Sequence, residues 1–366
     1  MRALFLWLLS LTHLANGIVQ NVTAPTYIIN TSLPVNEQYA SLCADYVEQA
    51  IAAFYGIMAM IPTEYQPIFE EISQLYVDEY VTEPYKSEME YFSNCSGLSM
   101  KDIMTVNLAY DMTVLCTSIV AVTPNGTILH ARNFDFPTVL RNDSVNLKFV
   151  DGATGDMLYE VTTFVGWVGA ATVMRPHQFS ITIDEHVKVE NPDENFKAMK
   201  QGYFPSSWLL REAAMKDATF ADAVDRLSNT KIVAPAYYII AGTDGSMDGA
   251  IITRNQTHVN GPWNVTAKTE FERPLYLTAS PHDWYLVETN YDYWRPTPTD
   301  DQRREAAIAM LDAVGQENIS YDTLFNILST PPVLQPYTVF TSLVHPSNPD
   351  EYNITVRYNT ASNEVL

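Results

Sequence analysis

Positive charge is scarce in this sequence: 21 lysines and arginines stand against 43 aspartates and glutamates, a net charge of −22 at neutral pH. That balance repels nucleic acid and anionic membranes. Near the sequence isoelectric point of 4.5 the carboxylates titrate and the repulsion fades, so an acidic compartment suits this composition, as does plain solubility of an exported protein. Cysteine is scarcer still, at three residues, which leaves at least one thiol outside any disulfide: a leftover, an intermolecular partner or a reactive group. Long apolar runs are missing beyond the first residues. The best candidate, Ala50 to Ile61, falls short of the roughly 20 residues that span a bilayer and contains Gly56. Internal repeats, low-complexity tracts and Pro/Ser-rich linkers are absent as well.

What is present begins with an export signal. Met1-Arg2 is a short basic region, Ala3 to Leu11 an apolar core, and Ala15-Asn16-Gly17 a small-x-small cleavage site, so the mature chain is expected from Ile18. Nine Asn-x-Ser/Thr sequons, from Asn21 to Asn353, agree with the secretory route. At 366 residues and 47% hydrophobic the chain can bury a large core. Residues 33–114 carry helical periodicity: Tyr39 to Met60, Ile68 to Val81, and a capping box at Ser99-Met100-Lys101-Asp102 opening a helix through Met112. From Cys116 onward β-like runs dominate, interrupted by helical patterns at Ser206 to Leu227, Asp300 to Val314 and Ser320 to Leu328. The apolar stretch Ala50 to Ile61 either packs on the β-rich part or presents its Phe and Met residues, Phe54, Met58 and Met60, to a lipid surface.

Cys116 stands where the two textures meet. Pro124-Asn125-Gly126 predicts a hairpin, which pairs Cys116 with a residue between Asn133 and Asp135 and brings the thiol beside Arg132-Asn133-Phe134-Asp135. A cation favours the thiolate, and a carboxylate orients a neighbouring base; the plain structural alternative is an Arg132–Asp135 ion pair around a buried cysteine. Of the seven histidines none shares a motif with a cysteine, although His130 falls on the same strand face as Arg132. A different device needs no histidine: cleavage before Cys116 frees an α-amine on the nucleophilic residue itself. The glycine-rich Gly242 to Gly249 lacks calcium-loop or phosphate-loop spacing and reads as a hairpin turn.

Cys116-Thr117-Ser118-Ile119-Val120-Ala121 followed by His130-Ala131-Arg132-Asn133-Phe134-Asp135-Phe136 resembles the acid ceramidases and the acid amidases that hydrolyse N-acylethanolamines. Thr163 to Gly169, Asp184-Glu185, Ser207-Trp208-Leu209 and Val287-Glu288-Thr289-Asn290-Tyr291-Asp292 extend the likeness over nearly the whole mature chain. The resemblance implies an α+β fold, the αββα sandwich of N-terminal-nucleophile hydrolases. It implies a proenzyme with a signal peptide at 1–17, a helical α subunit at 18–115 and a catalytic β subunit at 116–366, cut at Leu115–Cys116 in acid. The two pieces then stay together as a heterodimer. Carried over residue by residue, Cys116 is both autocleavage residue and nucleophile, Arg132 and Asp135 hold it and its amine, Asn290 stabilises the oxyanion, and Glu185 and Arg303 bond within the site, with Arg304 the counterpart if the loop shifts by one. The odd spacing of Arg132 and Asp135 implies a bend or strand end near Phe134. Asn290 read by itself is a good turn residue.

No cofactor, metal or nucleic acid is called for. The expected substrate is a lipid amide at a membrane or micelle surface in the lysosome, or outside the cell if the protein is secreted. Fatty acylethanolamides are favoured over ceramide because Phe136-Pro137, Pro176-His177 and Ser347 to Tyr352 look closer to the acylethanolamine amidases, whereas Ala234-Pro235-Ala236-Tyr237-Tyr238 looks ceramidase-like. The C-terminal cysteine pair of the ceramidases is missing, so Cys43 either pairs with Cys95 or stays free. The rival expectations are a silent lipid-binding glycoprotein and a cysteine amidase acting on bile-acid or penicillin-like amides.

Overall fold

The computed structural model describes residues 19–109, 111, 115–186, 192–261, 263–264, 269–270 and 273–359; the signal segment and Met112 lie outside them. In chain order the strands are β1 (Val19–Thr23), β2 (Thr26–Asn30), β3 (Leu115–Val122), β4 (Ile128–Asp135), β5 (Ser144–Val150), β6 (Met157–Phe164), β7 (Thr172–Arg175) and β8 (Phe179–Glu185). They continue as β9 (Ala236–Ala241), β10 (Gly249–Arg254), β11 (Trp263–Asn264), β12 (Thr269–Glu270), β13 (Leu275–Tyr276), β14 (Tyr285–Glu288), β15 (Thr338–Val344) and β16 (Tyr352–Asn359). Among the described residues β11 and β12 pair by themselves, while one large sheet has the order β1-β16-β15-β4-β3-β14 and the other β13-β10-β9-β8-β7-β6-β5-β2. The two stack face to face, with His130 of β4 meeting Ser180 and Thr182 of β8.

Strand alternation explains the layers. Along β3 and β4, Ile119, Ala121, Leu129 and Ala131 face outward and are covered by Ala307 and Leu311 of one helix and Leu324 and Ile327 of the next. The inward residues Val120, Val122 and Ile128 meet Tyr237, Ile239 and Ile251 of the opposite sheet. Buried on both faces, β3 has no solvent-facing polar side: it is apolar from Ile119 to Val122, and its two hydroxyl residues, Thr117 and Ser118, are buried as well. On the far face of the larger sheet lie two helices, Trp208–Lys216 and Phe220–Asn229. The result is the αββα sandwich the resemblance implies.

The helices are numbered α1 (Val35–Gln38), α2 (Ala40–Met60), α3 (Gln66–Glu79), α4 (Tyr85–Ser96), α5 (Met100–Ala109), α6 (Pro192–Lys200), α7 (Trp208–Lys216), α8 (Phe220–Asn229), α9 (Arg303–Val314) and α10 (Tyr321–Leu328). Those of residues 35–109 are tied to the β-rich part by buried polar bonds. Arg211 of α7 grips Glu88 of α4 through two 2.6 Å bonds. Asn107 of α5 donates to the Gly166 carbonyl at 3.0 Å and accepts from the Val168 N–H at 2.9 Å and the Trp208 indole at 3.0 Å. Along α2, Ala53, Phe54 and Ile57 are buried against this body, while Ala52, Tyr55, Ala59 and Met60 face solvent, so Phe54 is not the lipid-facing residue the sequence suggests.

Cys43 and Cys95 form a disulfide, with Cα atoms 6.5 Å apart, and Cys116 is the one free cysteine. The bridge links residues 52 apart, and the loop entropy it removes predicts that the Cys43→Ser, Cys95→Ser protein loses about 3–4 kcal/mol of stability, measured by urea unfolding of the uncut chain.

Two elements differ from the sequence expectation. The start of the helical segment is not helical: β1 pairs with β16 and β2 runs parallel to β5, so residues 19–30 add a strand to each sheet. Both are five-residue edge strands held by ladder bonds rather than by propensity, which leaves little local signal. The pattern Ser206 to Leu227 breaks after Lys216, because Thr219 and Asp222 form a capping box that starts α8 afresh. Where the odd spacing of Arg132 and Asp135 implies a bend or strand end near Phe134, β4 ends at Asp135 without a bend, and a register shift lies in its neighbour β15, between Thr338 and Phe340.

Candidate active site

Cys116 is the second residue of β3, opposite Phe134 of β4, and has no solvent exposure. The turn that sets this register closes at Gly126, whose φ of 86° accounts for the glycine after Asn125. The sulfur receives Nη2 of Arg132 at 2.5 Å, and the backbone N–H of Asp135 also points to it. Burial nevertheless pushes the thiol well above its ordinary range, outweighing the pull of the Arg132 guanidinium. In this uncut chain the sulfur is therefore a protonated thiol.

The other polar atoms of Cys116 are held as well. Its N–H donates to Oδ1 of Asn290 at 2.8 Å, and its carbonyl accepts from Nη1 of Arg303 at 2.6 Å. Nη2 of Arg303 donates to the same Asn290 oxygen at 3.0 Å, and Arg303 is fixed in turn by Asp301 and, at 3.4 Å, by Asp135. Asp135 accepts from the Thr338 hydroxyl at 2.6 Å; burial lifts its carboxyl to about 6 against the pull of Arg303. Arg132 faces inward to the sulfur, while Asp135, three residues on, reaches Arg303 from the other side of the strand. The odd spacing thus brackets Cys116 without any bend in β4.

Arg303 reaches Cys116, whereas Arg304 donates to the carbonyls of Tyr291, Asp292 and Arg295 behind the loop. Glu185 meets Asn290 through its backbone carbonyl, which accepts the Asn290 amide N–H at 2.9 Å. His130, the histidine close along the hairpin, has both ring nitrogens engaged by Ser180 and Thr182; burial lowers it to about 3 and keeps it neutral.

Two neighbours were not expected. Asp184 accepts from Nη2 of Arg132 at 3.4 Å and from the Ser118 hydroxyl at 2.8 Å, so it anchors the guanidinium from the opposite sheet. Glu288 closes β14 beneath the Asn290 turn. The signal for Ser118 is its position two residues after Cys116 on the same strand face; Asp184 becomes visible only once β8 is laid across β3. Among the described residues no group of three or more His, Cys, Asp and Glu side chains is arranged to hold a metal ion. The arrangement offers a thiol, an adjacent backbone nitrogen that becomes an amine if the preceding bond is cut, and donors from Arg303 and Asn290 for charge on a carbonyl oxygen.

The model of the linear amide C–N hydrolases, choloylglycine hydrolase family, matches residues 116–318 and so begins at this cysteine. An N-acylethanolamine-hydrolyzing acid amidase from Rattus norvegicus is 35% identical over 89% of this chain and 84% of its own length. Acid ceramidase from Homo sapiens is 29% identical over 91% of this chain and 86% of its own. Among solved structures, a Caenorhabditis elegans N-acylethanolamine-hydrolyzing acid amidase ortholog superimposes with a TM-score of 0.54 at 32% identity, covering 64% of this chain and 95% of that one.

Proposed function

This chain belongs to the linear amide C–N hydrolases of the choloylglycine hydrolase family, and from that premise we propose that it cuts itself between Leu115 and Cys116 at acid pH and then hydrolyses fatty acylethanolamides to fatty acid and ethanolamine in the lysosome. The observation that carries this reading is that sulfur, nitrogen and oxygen of one buried residue, Cys116, are each gripped by a different polar side chain. A merely structural cysteine needs none of these contacts.

In the first step the thiol adds to the Leu115 carbonyl carbon. The Leu115–Cys116 C–N bond breaks, the acyl group passes to sulfur as a thioester, and the nitrogen leaves as an amine carrying the thiol proton. Water then hydrolyses the thioester to the Leu115 carboxylate and free Cys116. In turnover the same sulfur attacks the substrate amide carbon while the α-amine, held by Asn290 Oδ1, takes the thiol proton and passes it to the departing ethanolamine nitrogen; water then hydrolyses the acyl thioester, releasing the fatty acid and restoring the thiol. Arg132 and Asp184 fix the sulfur, Asp135 and Arg303 fix the backbone around it, and Asn290 turns its amide N–H from the Glu185 carbonyl toward the oxyanion when substrate is bound.

The greater identity to the acylethanolamine amidase than to the ceramidase supports the choice of head group. The substrate is met at a membrane or micelle surface, where the exposed Ala52, Tyr55, Ala59 and Met60 of α2 offer an apolar face with no charged residue between Glu48 and Glu64. After acid incubation the protein is expected to turn over palmitoylethanolamide with kcat/KM at least about tenfold above that for ceramide, a difference of about 1.4 kcal/mol in transition-state binding. The reverse order in the same micelles would make it a ceramidase. Turnover of neither lipid, beside hydrolysis of a bile-acid conjugate or a penicillin, would move it to another branch of the family.

A further inference from the structure

Glu288 is fully buried at the end of β14, opposite Ser118 of β3. Its Oε1 accepts three successive backbone N–H groups, from Thr289 at 2.9 Å, Asn290 at 3.1 Å and Tyr291 at 3.2 Å. Among the described residues its Oε2 has no hydrogen-bond partner. For three consecutive N–H groups to converge on one oxygen, the chain must curl over the carboxyl, and that curl takes Asn290 to a φ of 90°. Non-glycine residues rarely occupy this region and persist there only when surrounding bonds overdetermine them. The strained residue is the one whose amide touches Cys116.

We infer that Glu288 is a positioning residue of the reaction: by gathering the three N–H groups it locks the Thr289–Asn290–Tyr291 turn and aims the Asn290 amide at residue 116. This rests on the reading of Cys116 as nucleophile. An aspartate at 288 is one methylene too short to reach all three groups, while a glutamine keeps the accepting oxygen. Burial, with Asp184 of β8 and Asp292 of the following loop adding to it, raises the Glu288 carboxyl to about 8 against the pull of Arg304 on α9; Tyr237 of β9 also faces it. In an acidic compartment Glu288 is accordingly a neutral acid, which glutamine reproduces in charge and shape.

The test uses the full-length protein and its Glu288→Gln, Glu288→Ala, Asn290→Ala and Glu288→Ala/Asn290→Ala variants. Glu288→Ala is expected to lower kcat about 10²-fold, with KM within about threefold of the parent, the cost of losing one oriented donor. Glu288→Gln restores kcat to within about threefold. The double variant is no slower than Asn290→Ala, because the two residues act as one unit. Equal slowing by Glu288→Ala with and without Asn290, or a folded Glu288→Ala enzyme of parental kcat, would overturn the proposal. A crystal structure of Cys116→Ala/Glu288→Gln and Cys116→Ala/Glu288→Ala decides it independently of any turnover. Asn290 should hold its positive φ and its bond to the residue 116 N–H in the first and lose both in the second; their survival in the second would also overturn it. An inactive, uncut parent would instead remove the nucleophile reading and leave this structural comparison standing.

Discussion

Cys116→Ala is expected to give a folded protein that stays at full length after acid incubation, while the parent yields a new chain beginning at Cys116. N-terminal sequencing and intact mass distinguish the two. Hydrolysis of acyl amides should fall by a factor on the order of 10⁴ or more, since the change removes the atom that carries the acyl group. Folding should survive it, because alanine occupies the same strand position and only the sulfur's contacts to Arg132 and Asp135 are lost. Cys116→Ser is the sharper comparison. An oxygen in the same place can still perform the N-to-O acyl shift, so slow self-cleavage with little turnover is the expected pattern. A Cys116→Ala chain that is still cut at the same bond would mean that an outside protease makes the cut and would end the self-processing mechanism.

Melting temperature is expected to rise as pH falls from 8 to 5, the reverse of the common loss of stability in acid. Burial lifts Asp135 and Asp184 to about 6, Asp111 and Glu160 to about 7 and Glu288 to about 8. Each of these groups binds its proton more tightly folded than unfolded. Its contribution to stability is therefore complete below the unfolded value near 4 and is lost as pH rises through 6 to 8. Asp292 is buried and Asp301 partly buried, but bonds from His186 and Arg303 hold them below the ordinary range, so they titrate beneath this window. Measured on uncut Cys116→Ala by calorimetry, the shift should be at least about 5 °C. Asp111→Asn, which imitates the neutral acid, should raise the melting temperature at pH 8 and leave it nearly unchanged at pH 5. A flat or inverted profile would show that water or counter-ions reach these carboxyls.

Local chemistry was the legible part of this molecule. A Pro-Asn-Gly turn between two apolar runs placed Cys116 opposite a residue within 133–135, and the partner is Phe134. Ser99 and Asp102 likewise cap α5 through reciprocal bonds. What escaped was set at a distance. β1 has its partner at the other end of the chain, from Thr355 to Asn359, and a five-residue edge strand carries no periodicity strong enough to announce it. Asp184 adjoins Glu185 in the sequence, yet strand alternation turns its carboxylate to Arg132 while Glu185 offers Asn290 a backbone carbonyl. Asparagine tolerates the positive φ that Asn290 adopts, but that preference does not reveal that Glu288 grips the turn from beneath.

The placement of residues 19–30 bears on what would become of the protein if the proposed cut parts Leu115 from Cys116. β16 and β5, eight and seven residues long, would otherwise end their sheets with rows of open amides, the kind of border on which another copy of a protein can crystallise into a fibril. Five-residue strands from residues 19–30 occupy both borders. If the proposed cut is made, the N-terminal piece would be a built-in guard against self-association as well as a helical cap. A catalytic piece expressed from Cys116 alone would expose both borders at once, and clumping of that fragment would then say nothing about its chemistry.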